Sequence, residues 1–378
     1  MKPEIRLSNA RLVLPDRILD GGLSIRGELI AALDEGGSRA GGIDLEGDFL
    51  IPGVIDLHTD NLERQVQPRP SARWPSRSAF LAHDAQCAVA GVTTVFDSFC
   101  VGDLGFEEDR QRTLADGVAD LDILASAGLL KAEHLLHLRC ELPAADMQDE
   151  FRRYIDHPKL HLVSVMDHSP SVGQWGDVAQ YRANRRREGA TEPEIDRKLE
   201  HHRALRALWR GPNRSAVLTG IAGRAIPIAS HDDRTAEEIA ENDADGIRIS
   251  EFPVTLEAAK AARAHGMTVI AGAPNIVRGG SHSGNVAAID LLRAGTVDAF
   301  ASDYVPGSLI EAAFMATRLA GIPLPQAVGL ITASPARMAN LADRGRLAVG
   351  LAADLVQLRV YEGLPAVRAV WRRGVRVG

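Results

Sequence analysis

The chain has 378 residues, 45% of them hydrophobic and 25% charged, too apolar for a disordered polymer and long enough to bury a large core. Its formal net charge of −7 argues against non-specific attachment to nucleic acid or to an anionic membrane. No apolar run approaches the roughly 20 residues that a membrane-spanning helix needs. Cys87, Cys100 and Cys140 form no metal-type pair and no disulfide framework, which points to a reducing compartment. The opening MKPEIRLSNARLVLPD breaks each apolar stretch with charge, unlike an export signal, so a cytoplasmic protein is expected.

Residues 1–48 divide into β-prone fragments, IRLSNARLVLP, GGLSIRGELIAALDE and GGIDLEGDF, separated by Gly and Asp. From residue 49 the pattern changes. Eight strand candidates alternate with helical stretches: FLIPGVIDLH (49–58), TTVFDSF (93–99), HLLHLRCEL (134–142), LHLVSVMDH (160–168), PIASHD (227–232), IRISEF (247–252), TVIAGAP (268–274) and DAFASDY (298–304). Such alternation is what a parallel sheet requires, and eight units predict an α/β fold, a (β/α)8 TIM-like barrel. The rival, a doubly wound open sheet, lacks a GxGxxG after its first strand. Residues 173–215 interrupt the pattern with a long, charged, helical insertion. It could serve as a lid, as a contact between copies in a homo-oligomer, or as a solvated helix pair. The last 35 residues are β-prone again. Residues 1–48 and 344–378 are therefore expected to form one small β-sandwich domain from both termini, with the barrel on 49–343.

In a barrel the carboxyl ends of the strands build the site. Here the first ends in His58-Thr59-Asp60, and strand alternation turns His58 and Asp60 to one side, where both can bind one divalent cation. The third carries His137, Arg139 and Glu141 on one face and sends Cys140 to the helices. The fourth ends in Asp167-His168, the fifth in His231-Asp232-Asp233 and the eighth in Ser302-Asp303. Burying so many ionisable groups is costly unless they pair or bind metal, so a metal site is expected. Asp84 reads as a helix N-cap, Asp97 as an orienting group or a cap, and Asp232 and Asp233 as groups that orient His231.

The opening IPGVIDLHTD, AGVTTVFD, the late SDY and the tail VGLAADLVQL resemble the amidohydrolase superfamily. Within it, LHTDNLERQVQPRP, AEHLLHLRCELP, VSVMDHSP, ASHDD, EFPVTLEAA and GAPNIVRGGSHSGN resemble the family of diphosphatases that act on a ribosyl methylphosphonate triphosphate in phosphonate breakdown. The resemblance implies a metal-dependent hydrolase holding one or two divalent cations, zinc fitting the donors best. It implies His58, Asp60, Glu141, His168, His231 and Asp303 as ligands, with Asp303 also the catalytic base. The chain departs from the commonest superfamily pattern: His58-x-Asp60 replaces His-x-His, and no lysine stands at a strand end. Glu141 is the substitute expected to bridge two cations.

The implied substrate is a phosphorylated small molecule, cleaved to a 5-phosphate and pyrophosphate. So anionic a molecule calls for a local cluster of basic and polar donors. Candidates are Arg69, Arg139 and the Gly-rich segment after the seventh strand, with Asn275, Arg278, Gly279, Gly280, Ser281, His282 and Asn285. Arg73 and Arg77 follow the first strand as well. An amidase or deaminase acting on a C–N bond is the alternative and calls for a cavity with little basic lining. A scaffold that had lost catalysis would lack the ligand set.

Overall fold

The computed structural model describes residues 4–36, 42–69, 72–104, 110–173, 176–281 and 284–378. The β-prone opening forms β1 (Glu4–Val13), β2 (Ile18–Arg26) and β3 (Leu29–Glu35) as an antiparallel meander. Then β4 (Ile43–Asp44) and β5 (Phe49–Pro52) return parallel to β1. Alternating apolar positions bury Leu12, Leu23, Ile25 and Leu50 in one small core.

The run 49–58 is two strands rather than one. β5 belongs to the terminal sheet, and the chain then passes Gly53 into the barrel. A side chain at 53 would place its Cβ 2.2 Å from Thr93 Oγ1 and 2.8 Å from Asp354 Cβ, so only glycine lets the backbone through. The barrel strands are β6 (Val54–Thr59), β7 (Val92–Val101), β8 (Glu133–Glu141), β9 (Leu160–Met166), β10 (Ile228–His231), β11 (Ile249–Glu251), β12 (Thr268–Gly272) and β13 (Ala299–Ala301). All pair in parallel, in chain order. Two backbone hydrogen bonds close the ring: Asp60 N–H to the Asp303 carbonyl (2.6 Å) and Asp303 N–H to the His58 carbonyl (3.0 Å). Ile55, Phe96, Leu135, Leu162 and Ile270 fill the interior, making it a packed core rather than a pore.

The tail adds β14 (Leu355–Tyr361), β15 (Leu364–Arg372) and β16 (Val375–Arg376), and β14 pairs antiparallel with β5. Both chain ends therefore share one eight-stranded sheet. That sheet curls until Ile30 exchanges backbone hydrogen bonds with Leu351 and Gly350, each at 2.9 Å, which closes a β-sandwich over Trp371. Its other face packs on the barrel helix Ser308–Ala320, with Phe49 edge-on to Phe314 at 5.9 Å.

The charged stretch after the fourth barrel strand contains two helices, Val178–Arg187 and Glu192–Ile221. The second opens on a capping box, Glu194 Oε2 accepting the Thr191 N–H at 2.8 Å. Asn213 ties it to the barrel by donating to the carbonyls of Leu142 and Ala144, each at 2.7 Å, and Arg206 pairs with Asp167 at 2.6 Å. The insertion is thus anchored beside the carboxyl ends of the third and fourth strands. No described helix is long and apolar enough to cross a membrane.

Candidate active site

The register between β6 and β7 shifts between Asp56 and Thr59. His58 and Asp60 nonetheless face the same cavity. His58 is buried, with Nδ1 2.8 Å from Glu251 Oε1, and the other Glu251 oxygen lies 2.8 Å from His231 Nδ1. One carboxylate at the end of the sixth strand thus holds two imidazoles by the same ring nitrogen, and the rings stack with centroids 5.6 Å apart. Fixing Nδ1 leaves Nε2 of each ring as the free donor to a ligand. Nε2 of His58 is buried with no hydrogen-bond partner among the described residues and lies 3.5 Å from Asp60 Oδ1.

An orphaned buried nitrogen is costly, and a cation would satisfy it. His58, Asp60 and Asp303 offer ligand atoms within 4.8 Å of one another, as do His168, His231 and Asp232. Imidazole nitrogen with carboxylate oxygen is a donor set suited to divalent transition metals, so the residues fit a metal ion. Burial pushes the Glu251 carboxyl upward, but His58 and His137 and the two imidazole bonds hold it well below the usual range. Burial likewise opposes charge on His58, yet Glu251 prevails and pushes it up to about 10. The buried carboxylate demands a positive partner at these rings, which a proton or a metal ion can be.

Three residues at the rim have left-handed backbones without being glycine: Asp232 (φ 58°), Phe252 (φ 55°) and Asp303 (φ 56°). Each such conformation costs about 1–3 kcal/mol and persists only where the fold enforces it. Here backbone N–H groups do so, Asp232 donating to Glu251, Phe252 to Ile270 and Asp303 to His58 at 2.9–3.0 Å. Burial and then the Asp60 charge push the Asp303 carboxyl up to about 7, against the pull of His58 and Arg139. A carboxyl near neutrality can accept a proton and return it.

Of the expected metal residues, His58, Asp60, His168, His231 and Asp303 line one cavity of about 420 Å³. Glu141 does not reach it. Its oxygens accept from the His168 N–H (2.9 Å) and bond His168 Nδ1 (2.6 Å), so it orients that ring from behind. Between the two stacked histidines stands Glu251 instead, which the sequence reading missed although it is the penultimate residue of the strand candidate IRISEF. Asp232 lines the cavity too, with Oδ2 3.8 Å from His231 Nε2 and 3.9 Å from His168 Nε2. Asp233 serves the wall, accepting the Ser230 and Ser250 hydroxyls at 2.5 Å each.

Among the expected anion-binding residues, Arg139, Asn275, Arg278, Gly280, Ser281 and Asn285 line the same cavity. Arg139 is buried and also donates Nη1 to Asp60 at 2.7 Å. Asn275 staples its loop, Oδ1 accepting the Ala288 N–H at 3.1 Å. Gly279 caps the helix Ala273–Arg278 with φ 80° and does not line the cavity. Arg69 is exposed and away from it, while Arg73 and Arg77 pair with Asp116 and Asp120. His282 lies outside the described residues.

Behind the barrel wall, a second His–Asp network joins the helix Ser76–Val89 to β7 and β8. Asp84 is inside that helix, not at its cap, and accepts the N–H groups of Lys131 (3.0 Å) and Ala132 (2.9 Å). It also lies 3.1 Å from His134 Nε2. Asp97 holds His83 Nε2 at 2.7 Å and His134 Nδ1 at 2.9 Å. Burial would raise Asp97, but His134 brings it down to about 2; burial would lower His134, but Asp97 pushes it up to about 9. The protonated His134 stabilises the fold fully below about pH 6.5, and that stability is lost as pH rises through about 9; the Asp97 contribution is lost only as pH falls from about 4 through about 2. The unfolding free energy of wild type over His134→Gln is expected to shrink between pH 6.5 and 10 by up to about 3 kcal/mol. Urea unfolding across that range checks it, and a constant difference would show that His134 is neutral.

Residues 280–377 match the amidohydrolase family. Over 375 residues, 98% of this chain and 99% of the relative, the sequence is 42% identical to an alpha-D-ribose 1-methylphosphonate 5-triphosphate diphosphatase of Escherichia coli (strain K12). It is 24% identical over 250 residues, 65% of this chain and 39% of the relative, to an adenine deaminase of Desulfatibacillum aliphaticivorans. Among solved structures, a Xaa-Pro dipeptidase with methionine bound in its active site matches with a TM-score of 0.67 at 14% identity, over 99% of both chains. That last likeness carries the fold alone.

Proposed function

This chain belongs to the amidohydrolase superfamily, in the family of the diphosphatase it matches from end to end, and we propose that it hydrolyses α-D-ribose 1-methylphosphonate 5-triphosphate to the 5-phosphate and pyrophosphate in phosphonate breakdown. The observation that carries this reading is 42% identity sustained over 98% of the chain. The three cysteines are buried and form no disulfide with one another, in keeping with a reducing cytoplasm.

His58, Asp60 and Asp303 on one side, and His168, His231 and Asp232 on the other, would hold one or two divalent cations, of which zinc suits these donors. A bound cation supplies Lewis acidity, acidifying water toward neutrality and offsetting charge on phosphoryl oxygens. The chain's own residues do the rest. A carboxylate oxygen of Asp303 takes the proton of the attacking water and can pass it to the departing pyrophosphate. Glu251 and Glu141 keep three imidazoles in one orientation, so nothing has to reorganise during the reaction. Arg278 and the Gly-rich turn at Gly280 present a guanidinium and approachable backbone to phosphate oxygens. A net charge of −7 is no obstacle once the arginines gather at the cavity. A deaminase acting on a neutral base would leave that basic lining without a purpose.

Phosphorus NMR of the zinc-loaded protein tests the reading. Pyrophosphate is expected from the ribosyl methylphosphonate triphosphate and not from ordinary nucleoside triphosphates, with turnover abolished by a chelator and restored by zinc. Orthophosphate as the sole product, or equal turnover of ATP, would overturn it.

A further inference from the structure

The helical insertion brings a cation to the cavity that the mechanism above does not use. Its first helix, Val178–Arg187, is capped by Asp177, which accepts the N–H groups of Ala179 (2.8 Å) and Gln180 (3.2 Å). Tyr181 anchors the helix and is only 2% exposed. Gln180 Nε2 lies 3.6 Å from where a Cβ on Gly284 would stand, so the helix abuts the Gly-rich loop that carries Arg278. From this helix Arg185 lines the same cavity as Arg139 and Arg278.

The neighbouring arginines are committed elsewhere: Arg182 to Glu192 and Asp196, and Arg186 to Glu192. Arg185 differs. Its guanidinium carbon sits 5.3 Å from the Tyr181 ring centroid, and Nη1 donates to Glu188 at 2.7 Å. Its Nε is buried with no hydrogen-bond partner among the described residues. A guanidinium held against an aromatic ring with a donor unfilled loses little freedom when an anion arrives. A triphosphate joined to a phosphonate carries more charge than Arg278 alone can meet, since Arg139 is shared with Asp60.

We infer that Arg185 is an anion-binding residue of the cavity, donating to a phosphoryl or phosphonyl oxygen of the substrate. The insertion then contributes to substrate selection. This inference rests on the reading of the site as that of a polyanion hydrolase.

Calorimetric titration of the zinc-loaded full chain with inorganic pyrophosphate, and separately with methylphosphonate, reads the contact without turnover. Arg185→Ala is expected to weaken at least one of these anions by about tenfold or more, the usual worth of a hydrogen bond to a charged group. Arg185→Lys should lose less, and Glu188→Gln should tighten binding by releasing Nη1. Loss confined to pyrophosphate assigns Arg185 to the triphosphate end, and loss confined to methylphosphonate assigns it to the phosphonate. Should Arg185→Ala fold poorly, Arg185→Lys and Glu188→Gln still decide. Affinities indistinguishable from wild type for both anions in the folded variants would overturn the inference. If the wild type instead releases no pyrophosphate from the ribosyl triphosphate, the functional reading fails while the titrations still judge Arg185.

Discussion

Asp303→Asn is expected to lower turnover by about 10²–10⁴-fold, the range that a general base contributes, while leaving the fold in place. The substitution suits the backbone, because asparagine tolerates the left-handed region that Asp303 occupies at φ 56°. The seam hydrogen bonds to His58 and Asp60 run through main-chain atoms and survive. What disappears is a carboxyl pushed up to about 7 by burial and by Asp60, and with it the group able to take a proton near neutrality. Pyrophosphate release measured beside zinc content separates the two roles of the residue. Slow turnover at full metal content marks proton transfer, and restoration of the rate by excess zinc marks ligation. Turnover near wild type would remove Asp303 from the reaction.

Glu251→Gln is expected to weaken zinc binding by about 10–100-fold, the usual consequence of losing a group that orients metal-bound histidines. Glu251 accepts from both His58 and His231 through separate oxygens. Glutamine offers one carbonyl oxygen and one amide, so it can serve one Nδ1–H and presents a donor to the other. One ring must turn or change tautomer, and its Nε2 is lost as an aimed donor. Competition against a chromophoric chelator measures the affinity, and added zinc should recover part of the turnover. Glu141→Gln touches His168 alone, so its effect should be the smaller of the two. Unchanged zinc affinity in Glu251→Gln would leave that residue a packing role only.

Much of this centre is legible in the chain because strand ends carry their chemistry locally. His58, His231 and Asp303 each close a short apolar run, and eight such runs set the barrel. Glu251 is harder to read, since its partners lie on the first and fifth strands and no local period reports which ends face one another across a ring. FLIPGVIDLH carries no charge before Asp56 to mark a break, and its division at Gly53 depends on a second sheet arriving from the far end of the chain. Glu141 misleads for a related reason: a carboxylate at a strand end looks the same whether it faces the cavity or a neighbouring imidazole. Arg185 is hidden in a run of arginines on a polar helix, where its place over Tyr181 and at the cavity distinguishes it from its neighbours.

The seam of the ring has a consequence for how activity arises. His58 and Asp60 come from the opening strand and Asp303 from the closing one, and they meet only through the backbone bonds that join those strands. A nascent or truncated chain holds the pieces without the centre, however well its early strands have folded. The β14–β5 pairing, made by residues that follow the whole barrel in the chain, joins the tail to the strand that leads into the ring. Competence therefore waits on the closing strand, and two severed halves would regain it only by docking edge to edge.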